Sequence, residues 1–529
     1  EQARSSIDLT VAGIASGITM VEAGANEVPE TLLADAFAWA HQAMQPAIEL
    51  QKELVTKLAV EPLPYELVKP DEAILAEVER WCQGKFTPDM RQQYPYRNRV
   101  VDELRQQMHT ELEAQHGEAY AEVKAQYDEA FTMESHKDVR RGIIEDSVRP
   151  DGRALDEIRP LSSEVGILPR THGSSLFTRG VTQAMNIVTL APLSYAQIVD
   201  TMEITDGERR YMHHYNAPSY TVGECGRLGS PGRREIGHGY LAERALEPVL
   251  PAKEDFPYAI RSVTEIMSQN GSTSMAATCS SCLALMDAGV PLKRPVSGVA
   301  MGLMMGEDGQ PYILTDIADT EDFAGDMDFK ATGTELGVTA LQMDMKVHGL
   351  PVEVLRKAIL RAKEGREKIM EHMLSILPAP RKELSQYAPR IEKLMINPDK
   401  IGAVIGKGGE TIREITSTTG AEIDIADDGL VTIAAVDAEA ITKALEWVKS
   451  LTMEPEVGQI YTGKVVSIKE FGAFVNIMPG IDGMVHISEM ADHRVAKVED
   501  VVHLGAEVKV KLVAIDDKGR LKLSMKDAK

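Results

Sequence analysis

The sequence predicts a multidomain α+β chain with an α/β core, an all-helical segment and two small terminal units, the last a β-barrel. Three observations predict it. A chain of 529 residues that is 43% hydrophobic is long enough for several cores. Near Gly142 the apolar period changes from helical to alternating. A stretch with prolines at both ends, Pro378 to Pro389, then sets off two short Gly-punctuated segments. The formal net charge of −24 excludes a wholly basic nucleic-acid coat protein but leaves room for local basic loops. Four cysteines are too few for a disulfide framework and fit a reducing cytoplasm. Cys279 and Cys282 form a lone C-x-x-C, read as packed core thiols. No apolar run approaches membrane-spanning length, and no signal peptide is expected. The chain begins at Glu1 almost directly in a strand pattern, so it reads as truncated.

Residues 1–52 read as the closing strands and helix of an incomplete first copy of a repeat. Ile7 to Gly13 aligns without a gap on Met327 to Gly333, and Gly17-Ile18-Thr19 on Gly337-Val338-Thr339. In the first copy Asp322, Asp326 and Lys330 become Gln2, Ser6 and Thr10, and only Asp328 keeps its carboxylate, as Asp8. Residues 53–141 are charged and helical, with one long helix expected over Glu111–Met133 and a break at Tyr94-Pro95-Tyr96. Residues 142–375 read as a strand-rich α/β domain that closes on a helix. A linker spans 376–389. Residues 390–451 read strand, helix, Gly-rich loop, helix, strands, helix, and residues 455–527 read as five short strands.

The stretch from Thr315 to Lys330 organises the rest. Alternation puts Asp326, Asp328 and Lys330 on one strand face, with Met327 and Phe329 on the other. The Phe323-Ala324-Gly325 turn can bring Asp322 back over that face. Two readings of the cluster stand, a solvated acidic turn and a divalent-cation site whose oxygen ligands suit magnesium or manganese. Upstream, Ser272, Thr273 and Ser274 open a helix rich in small residues. Hydroxyls and free helix-start N–H groups there make an anion cradle for phosphate. Arg233, Arg234 and His238 lie among glycines, and Arg170, His172 and Arg179 form a second basic group. Guanidinium forks suit phosphate, so the set suggests a polyphosphate-chain substrate.

Gly406, Lys407, Gly408 and Gly409 are not a P-loop, being one residue short from Gly402 and lacking the Ser or Thr that reaches magnesium. They fit the G-x-x-G loop of a KH domain, where bare backbone lets a nucleic-acid strand approach. In the last unit Phe471, Phe474 and His486 can share one surface as a stacking platform for unpaired bases, with at least one phenylalanine expected in the core. Lys464, Arg494 and Lys522 can supply charge nearby.

The order of these parts resembles the bacterial polynucleotide phosphorylase family. Thr171 to Ser174, His214-Tyr215-Asn216, Ser230 to Gly239, Asn270 to Met275, Met286 to Pro291 and Gly325 to Lys330 carry the resemblance, with the KH loop and the barrel. It implies RNase PH-like (ribosomal protein S5 domain 2-like) core domains, an all-α domain, a KH domain and an S1-type OB-fold. It further implies a homotrimeric ring with processive 3′-to-5′ phosphorolysis of single-stranded RNA to nucleoside diphosphates, the reverse polymerisation, and a role in mRNA decay. Asp322 and Asp328 would bind magnesium (manganese being possible) and Lys330 would assist catalysis. Ser272, Thr273 and Ser274 would hold inorganic phosphate; Arg233, Arg234 and His238 would contact RNA or phosphate. Asp326 and Asp328 both stay open as general acid. An RNA-decay endonuclease or helicase is a family-level partner. Thr273 stands where many members have Ser, and Val181 replaces a common Glu. Against the family's pattern, most of the first core domain, with its arginine-rich channel loop, would be lacking from this sequence. Two rivals to phosphorolysis stand, a non-catalytic RNA-binding scaffold and a hydrolytic exonuclease.

Overall fold

The computed structural model describes residues 5–528 apart from 60, 203, 204, 206, 228, 454, 479, 517 and 518. The chain divides into two compact units, Glu1–Ala388 and Pro389–Lys529.

The first unit opens with β1 (Ile7–Ile14), β2 (Gly17–Val28) and the long α1 (Glu30–Leu58). Three helices follow: α2 (Glu72–Cys82), α3 (Tyr96–His116) and α4 (Ala119–Ile144). Next come β3 (Leu161–Val165), β4 (Gly173–Arg179), β5 (Thr182–Pro192) and a small hairpin, β6 (Gln197–Val199) with β7 (Gly207–Arg209). Then follow β8 (Tyr211–Asn216), α5 (Arg233–Leu246), β9 (Tyr258–Ser268) and α6 (Thr273–Asp287). The unit closes with β10 (Ser297–Met305), β11 (Pro311–Thr315), α7 (Asp319–Ala324), β12 (Met327–Gly333), β13 (Val338–Met345) and α8 (Val352–Ile376).

Two sheets carry the core. One is five-stranded, β3-β4-β5-β9-β8, and the other six-stranded, β1-β2-β13-β12-β10-β11. Helix α6, buried along its whole length, packs against strands of both. Its Ala, Ser and Cys residues allow that close approach. A Cβ on Gly173 of β4 would lie 2.4 Å from the Ala284 carbonyl oxygen, and one on Gly298 of β10 2.8 Å from Met275 Sδ. Cys279 and Cys282 belong to this packing. Their sulfurs accept from Gly298 N at 3.4 Å and Val296 N at 3.2 Å, and burial pushes the thiols up to about 11 and 12. They are inert core thiols, as expected.

The internal repeat is visible in three dimensions. Strands β1-β2 and β12-β13 are antiparallel pairs with a register shift at the same aligned place, Ala12/Gly13 in one and Thr332/Gly333 in the other. β2 and β13 are themselves antiparallel neighbours, so the two copies face each other across one sheet and α1 packs on α8. The contacts are reciprocal. A Cβ on Gly17 would lie 2.7 Å from the Leu350 carbonyl oxygen, and one on its counterpart Gly337 2.4 Å from that of Val28. Of the aligned positions discussed above, Gln2 lies outside the described residues. Asp8 does not meet an ammonium: it pairs with Arg244 of α5 at 3.0 Å.

The helical region departs from expectation in two ways. The single helix expected over Glu111–Met133 is broken at Gly117, whose φ of 62° ends α3 before α4 begins. The boundaries at 52 and 141 fall inside α1 and α4, because helical periodicity runs through both.

The second unit begins with β14 (Arg390–Met395), α9 (Ile401–Ile405), α10 (Glu410–Thr419), β15 (Glu422–Ile425), β16 (Leu430–Ala435) and α11 (Ala438–Thr452), with sheet order β14-β16-β15. A closed five-stranded barrel follows, β17 (Ile460–Lys469), β18 (Gly472–Met478), β19 (Ile481–His486), β20 (Glu507–Ile515) and β21 (Leu521–Ser524), ordered β17-β18-β19-β21-β20. Val465, Val475, Val485, Val510 and Leu512 fill it. Among the described residues no helix is long and apolar enough to cross a membrane.

Gly337→Ala forces a methyl into the Val28 backbone and is expected to destabilise the first unit by ~1–3 kcal/mol. Chemical denaturation followed by far-UV circular dichroism measures it, and an unchanged midpoint would remove the reciprocal contact from the account.

Candidate active site

Strand β12 presents the acidic face as its alternation requires. Met327 and Phe329 point into the core, while Asp328 and Lys330 share the other face with Asp328 Oδ2 2.6 Å from Lys330 Nζ. Asp328 Oδ1 is buried without a hydrogen-bond partner among the described residues. Burial raises the Asp328 carboxyl above its ordinary range, Lys330 opposes that, and Asp322 adds to it. Asp322 sits on α7 with its Oδ1 3.2 Å from Lys346 Nζ. Asp326 does not join this face, contrary to the alternation. It lies one residue before the strand, held bidentately by Arg140 at 2.8 and 3.1 Å, and its Oδ2 accepts from Met305 N at 2.6 Å.

The hydroxyl cradle forms at the start of α6. Ser272 takes a left-handed conformation, φ 51°, and caps the helix. The Oγ atoms of Ser272 and Ser274 have no hydrogen-bond partner among the described residues. Thr273 Oγ1 accepts from the Tyr215 hydroxyl at 2.5 Å. The first-turn N–H groups of a helix lack intrahelical acceptors, so hydroxyls and amides together offer donors to an anion. Gly271 lets this loop lie directly on the segment leading into α7. A Cβ there would be 2.8 Å from Ile317 O and 2.9 Å from the Ala318 backbone. Cradle and acidic pocket are therefore neighbours.

Helix α5 supplies the third side. Glu235 Oε2 accepts from Gly232 N at 2.9 Å and fixes the helix start. Arg233 and Arg234 are exposed beside it. His238 Nδ1 lies 3.3 Å from the Tyr215 hydroxyl. Burial, then the charges of Lys330 and Arg234, pull His238 down to about 3, so its imidazole is neutral at working pH. Tyr215, which ties His238 to Thr273, was not among the expected site residues. Its signal was only its place in His214-Tyr215-Asn216.

The second basic group does not assemble here. Arg179 is fully buried and cannot face RNA; its Nε pairs with Asp316 Oδ1 at 2.8 Å and its Nη2 donates to Ser272 O at 2.8 Å. Arg170 and His172 lie beyond the other end of the seven-residue β4, roughly 20 Å from Arg179 at ~3.3 Å per residue. Arg170 stacks its guanidinium over Tyr387 at 5.4 Å, and His172 Nδ1 accepts from Leu190 N at 2.8 Å.

Beneath the site is a cluster that the sequence did not reveal. Arg149, Arg153, Arg159 and Arg179 surround Asp316 and Glu321, all buried. Arg159 binds Asp316 at 2.7 and 2.9 Å and also donates to the carbonyls of Ile317 and Asn270. Arg149 grips both Glu321 oxygens at 2.6 Å. Burial alone would raise the Asp316 carboxyl, but Arg159 and Arg179 outweigh it and hold it well below the usual range.

In the second unit Gly406, Gly408 and Gly409 have φ of 73°, 61° and 79° between α9 and α10. A Cβ on Gly408 would meet nothing, and Lys407 is exposed, so the loop is open to a ligand. In the barrel neither phenylalanine is core: Phe471 is exposed and Phe474 half-buried, because Ala473, Val475 and Ile477 are the inward residues of β18. Phe474 lies opposite Met484, which lies opposite Lys522, and exposed His486 is two residues further along β19 on the same face.

Residues 157–291 match the 3′ exoribonuclease family, domain 1; residues 391–450 match the KH domain and 454–526 the S1 RNA binding domain. The chain thus combines an RNase PH-like α/β core and helices with two RNA-binding modules, the second a closed OB-type barrel. Polyribonucleotide nucleotidyltransferases of Bacillus cytotoxicus, Geobacillus kaustophilus and Enterococcus faecalis are 49%, 48% and 49% identical to it. Each alignment covers 99% of this chain, and 74%, 72% and 75% respectively of those proteins. A crystal structure of rice Rrp46 overlaps 42% of the chain at 21% identity and a TM-score of 0.34, too loosely to bear on the fold. The chain belongs to the polyribonucleotide nucleotidyltransferase family.

Asp316→Asn removes the charge that three buried arginines share and is expected to cost about 3–5 kcal/mol in chemical denaturation. A loss under 1 kcal/mol would show that the cluster is not a brace. Because His238 is held neutral, the pH profile of kcat/KM is expected to carry no limb near 6.5 from it. Such a limb, abolished in His238→Gln, would contradict the placement.

Proposed function

We propose that this chain catalyses processive 3′-to-5′ phosphorolysis of single-stranded RNA, releasing nucleoside 5′-diphosphates, and the reverse template-independent polymerisation. The observation that carries the reading is the meeting of two unlike half-sites: hydroxyls at a helix start without partners among the described residues, and, against the loop at Gly271, the segment that leads through α7 to a carboxylate–ammonium pair. An attacking phosphate and a target phosphodiester are both anionic, so catalysis has chiefly to align them and offset charge.

Ser272, Thr273 and Ser274 with the first-turn amides of α6 hold inorganic phosphate, and Arg234 and neutral His238 steer it from α5. Arg233 and Arg234, exposed at the helix start, meet the RNA backbone. A phosphate oxygen attacks the terminal phosphorus, the bond to the 3′-oxygen breaks, and that oxygen takes a proton as the shortened chain leaves. Lys330 offsets charge on the phosphoryl oxygens. Asp326 is committed to Arg140 and Met305 N, which keeps it from the cation and leaves that role on this strand to Asp328. The family requires a divalent cation, and the unpartnered Asp328 Oδ1 with the nearby Asp322 fits one. Asp322 and Asp328 would hold magnesium, or manganese in its place, supplying positive charge for the leaving oxygen.

The KH loop and the Phe474–His486 face of the barrel hold the RNA upstream. Phe471, exposed just before β18, offers a second ring to the RNA. Trimeric assembly, a cytoplasmic setting that suits the four free thiols, a role in mRNA decay and an endonuclease or helicase partner belong to the same proposal.

Lys330→Ala is expected to lower phosphate-dependent nucleoside diphosphate release by ~10²–10³-fold while RNA affinity stays within about twofold. Labelled RNA incubated with magnesium, with and without phosphate, reads this directly. Nucleoside monophosphates without phosphate would mark a hydrolase, and intact bound RNA a scaffold.

A further inference from the structure

The five residues that separate Asp322 from Asp328 in the chain are not a free turn. On one side Lys346 Nζ contacts Asp322 Oδ1 at 3.2 Å and also its carbonyl oxygen, while Lys346 N donates to Asp326 O at 3.0 Å. On the other side α4 packs against α7 and delivers Arg140. That guanidinium makes four hydrogen bonds: to Asp326 Oδ1 at 2.8 Å and Oδ2 at 3.1 Å, to Ala324 O at 3.2 Å and to Met305 O at 2.8 Å. It thereby joins the end of β10 to the turn between the two carboxylates. Asp326 N also donates to Leu303 O at 2.7 Å, so both faces of this residue are fixed. One turn back on the same helix, burial and then the charge of Lys346 pull His136 below its ordinary range.

We infer that Arg140 of α4 is a positioning residue for the catalytic pair: by locking Asp326 it sets the separation of Asp322 and Asp328 and so their joint affinity for a divalent cation. The inference rests on the reading of those two carboxylates as cation ligands. A carboxylate two residues from a ligand and left without its counter-ion would otherwise swing toward the pocket, change its net charge and widen its mouth. Arg140 keeps Asp326 out of the pocket. It also couples the helical segment to the active site, since α4 belongs to the α2–α4 helices and reaches the turn between the two carboxylates through Arg140.

The test is manganese binding to the full chain without RNA or phosphate, followed by electron paramagnetic resonance, alongside steady-state kinetics. Arg140→Gln is expected to weaken Mn²⁺ binding ~10-fold and to lower kcat, with KM for phosphate and RNA affinity unchanged. Arg140→Lys, which keeps the charge and loses the fork, should recover part of the affinity. Arg141→Gln is the control, because Arg141 is half-exposed and, among the described residues, its ion pair is with Asp138 on its own helix. If Arg140→Gln fails to fold, Asp326→Asn, which keeps the shape and loses the charge, takes its place. Wild-type Mn²⁺ affinity in Arg140→Gln or its substitute, together with loss in Asp328→Asn, would overturn the positioning role and leave the cation site standing. Wild-type affinity in Asp328→Asn as well would overturn the cation site itself.

Discussion

Asp316 is fully buried in a left-handed conformation, φ 59°, with Arg159, Arg179 and Arg153 on its carboxylate. The same arginines reach past it to the backbone carbonyls of Asn270, Ser272 and Ile317. One carboxylate thus ties the loop that opens the phosphate cradle to the segment that leads into the acidic helix. A buried charge is costly unless paired and hydrogen-bonded, and here two of the partners, Arg159 and Arg179, also bond the loop that precedes α6. The geometry of the site is set from beneath, by groups that never meet a substrate. Among the described residues the buried hydroxyls of Ser272 and Ser274 have no hydrogen-bond partner.

The six-stranded sheet shows how one fold carries a site once rather than twice. The two copies of the strand–strand–helix motif share a bulge, reciprocal glycine contacts and a common sheet, so backbone geometry is nearly the same in both. Chemistry differs through a few side chains. Asp328 faces Lys330 in a buried pocket, whereas Asp8 is met by an arginine of a neighbouring helix at an exposed edge. Without the ammonium and the neighbouring helix start, an aspartate at the same backbone position is an ordinary surface ion pair of small energetic weight.

The second unit reads a polynucleotide by different physics. Its KH loop exposes three glycines in positive φ, where side chains are absent and backbone can approach phosphates closely. The barrel offers a half-buried aromatic, an exposed histidine and a lysine across three neighbouring strands, a surface suited to stacking with little sequence preference. These surfaces belong to the second unit, whereas the hydroxyl cradle and the carboxylate–ammonium pair belong to the first.

Much of this was legible in the linear text because it depends on short-range rules. The alternation of Met327 to Lys330, the small-residue run of α6, the glycines of the KH loop and the repeat at Gly13 and Gly333 are all set within a few residues by pleat, helix period and allowed φ. What the sequence could not assign was the partner of each charge. Arg179 looked like Arg233, yet one lies in the core on Asp316 and the other in solvent. Asp326 looked like Asp328, yet Arg140, distant in sequence, claims it. Arg170 and His172 shared a motif with Arg179 but sit at the far end of its strand. The sequence by itself determined the elements, the order of the units and which residue types could bind phosphate. The tertiary structure alone decided which of them are braces and which face the substrate, because burial and ion pairing are fixed by contacts between residues more than a hundred positions apart.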